Sequence, residues 1–358
     1  MNPTNLLPRV LLGLLTLTPM LAWSNSATAQ LPLVRSGEAI PRDMREIYDR
    51  GLVYLVSTQS EDGAWKGAGQ DGPGVTGMAL MVLLASGEDP NFGLYANHVR
   101  KALRSMISQQ DATTGILGSS MYHHGFAMLA LAEAYGAVDD RNLYAAGEAN
   151  RRSIGQALEL AVRAAVTSQK KNPLGAWRYS PDATDADTSV SGAMLVGLLA
   201  ARNAGIEVSD ESIDKAINYY TKMTSSAGMV GYSGGFGGFD ESPARISIAT
   251  LVYAVARRKD LPQYKATLGH LTQKLEQPPQ QHYAEYARYY QAQALFQGDV
   301  QAWENGTACC SVSSNPSRQP TAAFSRNSAQ PWGRRYRCWP WPSTTVSCRS
   351  TNANRSWL

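Results

Sequence analysis

The sequence predicts an all-α protein, a two-layered ring of repeated antiparallel helix pairs. Three observations carry this. Apolar residues recur at helical spacing from residue 41 onward, the periodic segments fall into pairs closed by glycine, and the second segment of each pair is rich in Ala, Gly, Ser and Met.

The pairs read in order along the chain. An amphipathic segment Asp43 to Thr58 leads through Gln59–Trp65 to the small-residue helix Val75–Leu84 and a stop at Gly87. Val99–Gln110 leads through Gly115-Ile116-Leu117 to Gly125–Leu131, with a stop at Gly136. Ser153–Gln169 leads through Gly175-Ala176-Trp177 to Ser191–Leu199 and Gly205. Ile213–Thr224 pairs with Ile246–Arg257, and Tyr264–Leu275 with Tyr283–Phe296 before Gly298. The terminal glycines are expected as left-handed caps. A spacing of about 50 to 60 residues per pair marks a repeat architecture. Small-residue helices pack closely and belong inside, while amphipathic ones belong outside.

The two ends differ from this body. Residues 1–29 carry Arg9, an apolar run Val10–Leu21 and Ala27-Thr28-Ala29, the pattern of a cleaved signal peptide. That run is shorter than the ~20 residues a spanning helix needs, so export to the periplasm, cell surface or medium is expected, with no membrane span afterwards. The repeat domain is expected over residues 30–305. Residues 306–358 hold seven arginines, ten serines and all four cysteines, but no Asp, Glu or Lys. The 33 Lys and Arg exceed the 29 Asp and Glu only through those seven arginines, so the net charge of +4 is no argument for nucleic-acid binding. This composition does not make a sixth helix pair. Read one base out of frame, its codons can encode a repeat motif and an apolar helix, and a frameshifted tail is the expectation; a disulfide-bonded extension is the alternative.

Arg50-Gly51, Tyr54-Leu55, Gln59, Gly63 and Trp65 together resemble the full QW motif of the squalene cyclase and prenyltransferase repeat family, and Gln169, Gly175 and Trp177 resemble a looser copy. The resemblance spans roughly residues 41 to 303 and implies an α/α toroid of six helix pairs around an apolar central cavity, of which five pairs are visible here. It also implies that Gln59, Trp65, Gln169 and Trp177 are structural, each glutamine tying a helix end and each tryptophan packing on the next repeat. Cyclases of this family that protonate an alkene use the middle acid of Asp-x-Asp-Asp followed by Thr. Here the segment is Thr184-Asp185-Ala186-Asp187-Thr188, with Ala186 at that acid. The zinc site of the protein prenyltransferases needs a cysteine that residues 1–308 lack, so neither metal nor cofactor is expected.

Asp185 and Asp187 are the candidate catalytic acids, although acids before the helix at Val190, Asp182 included, also suit its N-terminus. Tyr122, His123 and His124, which open the second inner helix where a ring cavity would open, are candidates for binding there, together with Asp182, Tyr286 and Tyr290. Neighbouring histidines diverge on a helix, which suits hydrogen bonding at a helix end better than a shared metal. Tyr283, Tyr286, Tyr289 and Tyr290 fall on helical spacing and line a cavity or fill it. The glycine-rich stretch Gly231–Gly238 reads as a connection or lid, with no Lys-Ser or Lys-Thr to make a phosphate loop. The expected function is binding of a hydrophobic small molecule in or near the central cavity. An enzyme acting on a hydrophobic or isoprenoid substrate and a scaffold with a filled cavity are the alternatives. No protein partner can be named.

Overall fold

A computed structural model describes residues 42–66, 71–144, 151–234, 241–273, 275, 284–304 and, for the backbone, 337–341 and 345–349, with side chains from Arg45. The signal segment 1–29 lies outside the described residues, as does 306–358 apart from the last two stretches.

Ten α-helices are described: α1 Arg42–Thr58, α2 Pro73–Leu84, α3 Ala96–Ser108, α4 Met121–Ala134, α5 Ile154–Lys171, α6 Thr188–Asn203, α7 Asp210–Met223, α8 Pro243–Val255, α9 Pro262–Gln273 and α10 Ala284–Gly298. They pair in sequence order. The even-numbered helices form an inner layer in which α2, α4, α6, α8 and α10 each pack on the next, and the odd-numbered helices form a second layer against it, α3 on α2, α5 on α4 and α6, and α9 on α8 and α10. This is the α/α toroid arrangement over five pairs.

Composition explains the layers. Most residues of α2, α4, α6 and α8 are buried, because these helices carry apolar residues on all faces, whereas α3 and α7 bury one stripe. The inner helices approach closely where they lack side chains: a Cβ on Gly125 of α4 would stand 2.8 Å from the carbonyl carbon of Ala193 in α6. Four helices start at a serine, with Ser120, Ser153, Ser209 and Ser242 each accepting a bond from an amide three residues on.

Two boundary expectations need correction. Gly136 and Gly205 do follow their helices in left-handed conformation, with φ 81° and 96°. Gly87 has φ 84° but stands beyond the cap, Ala85, by one more residue, and Gly298 is the last residue of α10 and not a cap. The α6 segment also begins earlier than its apolar run suggested, because Asp187 caps it.

The glutamine motif joins successive pairs. Gln59 Nε2 donates to the carbonyls of Gly63 and His98, at 2.9 and 3.0 Å, and Gln169 Nε2 to those of Gly175 and Ser212, both at 2.8 Å. In each case one carbonyl belongs to the motif's own loop and the other to the first turn of the next outer helix. The fully buried Trp65 and Trp177 reach back, their indoles donating to Leu55 and Ala165 carbonyls at 2.9 and 3.0 Å. A third copy escaped the sequence reading: Gln110 Nε2 donates to Gly115 and Ala157 carbonyls, both at 2.9 Å. Its loop is a residue longer than that of Gln59, and Leu117 stands where the tryptophan would be.

Beyond the helices, Arg337–Trp341 (β1) and Thr345–Arg349 (β2) form an antiparallel hairpin in which Cys338 and Cys348 are register partners. Strand β1 lies beside α1 and β2 beside α10, so the hairpin adjoins both the first and the last pair.

Candidate functional site

The N-terminal ends of the inner helices are knitted together by the preceding loops. Met121 at the start of α4 donates its amide to the Tyr179 carbonyl at 2.9 Å, and Thr188 at the start of α6 donates to that of Tyr232 at 2.9 Å. Tyr220 of α7 donates its hydroxyl to the Thr188 carbonyl. These contacts bring the segment after Trp177, the Asp185–Asp187 turn and the loop before α8 to one place.

Asp187 is the centre of that place. Its side chain is wholly buried, and Oδ1 accepts the Val190 amide at 2.7 Å as the cap of α6. Its Oδ2 has no hydrogen-bond partner and lies 3.6 Å from Arg178 Nε. Burial raises the Asp187 carboxyl to about 6, opposed by the Val190 bond and the Arg178 charge. Arg178 in turn places Nη1 3.6 Å from Asp185 Oδ2, beyond hydrogen-bond range, and Nη1 is buried without a hydrogen-bond partner. Its guanidinium lies over the rings of Tyr179 and Tyr232, 5.7 and 5.3 Å from their centres, which holds it in place. The two tyrosine hydroxyls meet at 3.2 Å. Tyr219 is buried with its hydroxyl unpartnered, and its ionisation is pushed up by burial and by the nearby Asp187 charge.

Tyrosines continue inward. Tyr122 stacks on Tyr179 with centres 6.4 Å apart and planes at 24°, and lies 6.2 Å from Tyr286. Tyr289 of α10 lies 6.3 Å from Phe126 of α4, and Tyr290 packs edge-on against both Tyr286 and Tyr289. Helix α10 therefore sends its rings across the interior to α4, so at this level aromatic side chains occupy the centre. Tyr283 and residues 235–238 of the glycine-rich stretch lie outside the described residues.

The structure separates the other candidates from this cluster. Asp182 is on the exposed loop, bonded to Lys171 Nζ at 2.6 Å, and is not a cap of α6. Asp185 is largely exposed and reaches the cluster only through Arg178. His124 has both ring nitrogens committed to backbone: Nδ1 accepts the Leu117 amide at 2.9 Å, which leaves Nε2 to donate to the Ala161 carbonyl at 3.0 Å. Burial lowers its pKa to about 4, so it stays neutral, with its ring held between two backbone segments. His123 is half-buried between the loops at Gly72 and Gly118. Among the described residues no group of three or more His, Cys, Asp or Glu is placed to share a metal ion.

The sequence reading missed Arg178, Tyr179, Tyr219 and Tyr232. Arg178 and Tyr179 directly follow the motif tryptophan Trp177, and that adjacency was the available signal; Tyr219 and Tyr232 come from the next repeat and had none.

Fold and site together define an α/α toroid with a buried acid, an arginine and a set of tyrosines at the N-terminal end of its inner helices. An inactive variant of an α-1,6-mannanase from Salegentibacter sp. HEL1_6, itself an α/α toroid, superposes with a TM-score of 0.53 at 8% identity, covering 74% of this chain and 84% of that one. The type II terpene cyclase MstE from Scytonema aligns at a TM-score of 0.33 and 16% identity, over 66% of this chain and 79% of that one. At such identity the mannanase likeness speaks for the fold alone. No protein-family profile and no curated protein sequence matches the chain.

Proposed function

We propose that this chain is an exported, catalytically divergent toroid of the squalene cyclase and prenyltransferase type that binds a hydrophobic small molecule at the Arg178–Asp187 end of its ring. One observation carries the reading. Asp187 Oδ2 and Arg178 Nη1 are buried without hydrogen-bond partners among tyrosine rings. Such atoms are costly to leave unsatisfied, so they mark a place where a ligand's polar end completes the protein's bonding. The ligand's apolar part would lie on Tyr179, which is 41% exposed, and Tyr122 behind it. The contacts of the α10 tyrosines with Tyr122 and Phe126 of α4 support binding near the ring's end over binding deep in its axis.

The neutral fluorophore N-phenyl-1-naphthylamine tests this. The mature chain is expected to give a saturable fluorescence rise, weakened about tenfold or more in Tyr179→Ala; a linear, non-saturable response in the unaltered protein would overturn the reading. Export is tested separately, by N-terminal sequencing of the protein from the outer compartment, which should begin at Gln30.

A second reading is supported by the carboxyl of Asp187 at about 6. That value suits a general acid or base near neutral pH, and is too weak an acid for protonating an alkene. Asp187, with Asp185 across Arg178, would then act in a hydrolytic or proton-transfer step on the bound molecule.

A further inference from the structure

We infer that the polar end of the ligand is a hydroxyl group, which donates its proton to Asp187 Oδ2 while accepting a hydrogen bond from Arg178 Nη1. The ligand is thus an apolar alcohol. This deepens the binding reading above and rests on it.

The argument is one of donors and acceptors. Asp187 spends Oδ1 on the Val190 amide and leaves Oδ2, an acceptor, open. Arg178 has Nε and Nη1 each 3.6 Å from a carboxylate oxygen, too far for a hydrogen bond, and leaves Nη1 as an open donor. The two orphans have opposite roles on adjoining side chains, and a hydroxyl is the smallest group that serves both at once. A hydrocarbon serves neither. An aldehyde accepts from Arg178 but leaves Asp187 unsatisfied, and an ammonium group pairs with Asp187 but meets the guanidinium as a like charge. A carboxylate faces Asp185 and Asp187 together. Tyr219 Oη, also without a partner, suits either role toward the same hydroxyl. Arg178 cannot readily swing away to make other bonds, because it lies over the rings of Tyr179 and Tyr232.

Five farnesyl compounds with one chain and different ends make the test: farnesol, farnesal, farnesoic acid, farnesylamine and the hydrocarbon farnesene, each displacing N-phenyl-1-naphthylamine from the mature chain at pH 7.5. Farnesol is expected to displace at concentrations at least tenfold below the other four. Arg178→Met should shrink that advantage to about threefold or less, as should Asp187→Asn, which keeps an oxygen to cap α6 but cannot offer two acceptors. If the fluorophore binds and all five displace it alike, or the acid or amine is preferred, the hydroxyl inference is wrong while binding stands. If both variants fold by circular dichroism and retain the full alcohol preference, it is wrong as well. If the fluorophore does not bind saturably, the binding reading itself fails.

Discussion

Asp187 and Arg178 stand 3.6 Å apart, carboxylate oxygen to guanidinium nitrogen, with the acid wholly buried and only the arginine reaching solvent. The pairing is too loose to offset the acid's loss of water, so the carboxyl is raised from 3.8 to about 6.

A pH dependence follows. The folded chain holds the Asp187 proton more tightly than the unfolded one, so this group's stabilising contribution is fully present below about pH 4. It is lost as pH rises to about 6, and ionised Asp187 burdens the fold above that. A shift of two units corresponds to roughly 3 kcal/mol. Asp187→Asn removes the titration and keeps a capping oxygen, so its stability relative to the unaltered chain should improve between pH 4 and pH 7. Urea unfolding at both pH values checks this; a pH-independent difference would count against a buried, raised acid.

Glycine substitutions should separate strain from contact. Gly87 and Gly115 both have φ near +80°, but a Cβ on Gly87 meets nothing within 4 Å, whereas one on Gly115 would stand 2.6 Å from the Leu160 carbonyl oxygen. Gly87→Ala should cost about 1 to 2 kcal/mol, the backbone penalty alone. Gly115→Ala should cost more, with α5 forced off the loop, and thermal melts of the two variants give the comparison.

The buried glutamines should be costly to remove. Gln169→Leu deprives the carbonyls of Gly175 and Ser212 of a shared donor at 2.8 Å each. A loss of about 2 to 4 kcal/mol is expected, and a similar loss for Gln110→Leu would establish the third copy as equivalent. A loss below 1 kcal/mol for Gln110→Leu would make that copy ornamental.

Incubation with squalene or a linear polyprenyl chain should yield no cyclic product. Ala186 is fully buried and has no proton to give, and the neighbouring Asp187 is a weakened acid already engaged in capping α6. Cyclic product by mass spectrometry would show that Asp185 or Asp187 takes over the role.

By itself the sequence determined the helix pairs and their layering, because amphipathic and all-apolar periodicity are local properties. Ser191–Leu199 could only belong to an inner helix, with small and apolar residues on every face. It also determined the loop motifs at Gln59 and Gln169, whose residues lie a few positions apart. Only the tertiary structure decided the site. Arg178 meets Tyr232, more than fifty residues away, because α6 and the loop before α8 are joined by the Thr188–Tyr232 bond. Tyr286 and Tyr289 meet Tyr122 and Phe126 because α10 packs across the ring. Helical spacing fixes which residues share a face, but the element that face meets depends on how successive pairs curve, and that is set by close approaches such as Gly125 on Ala193.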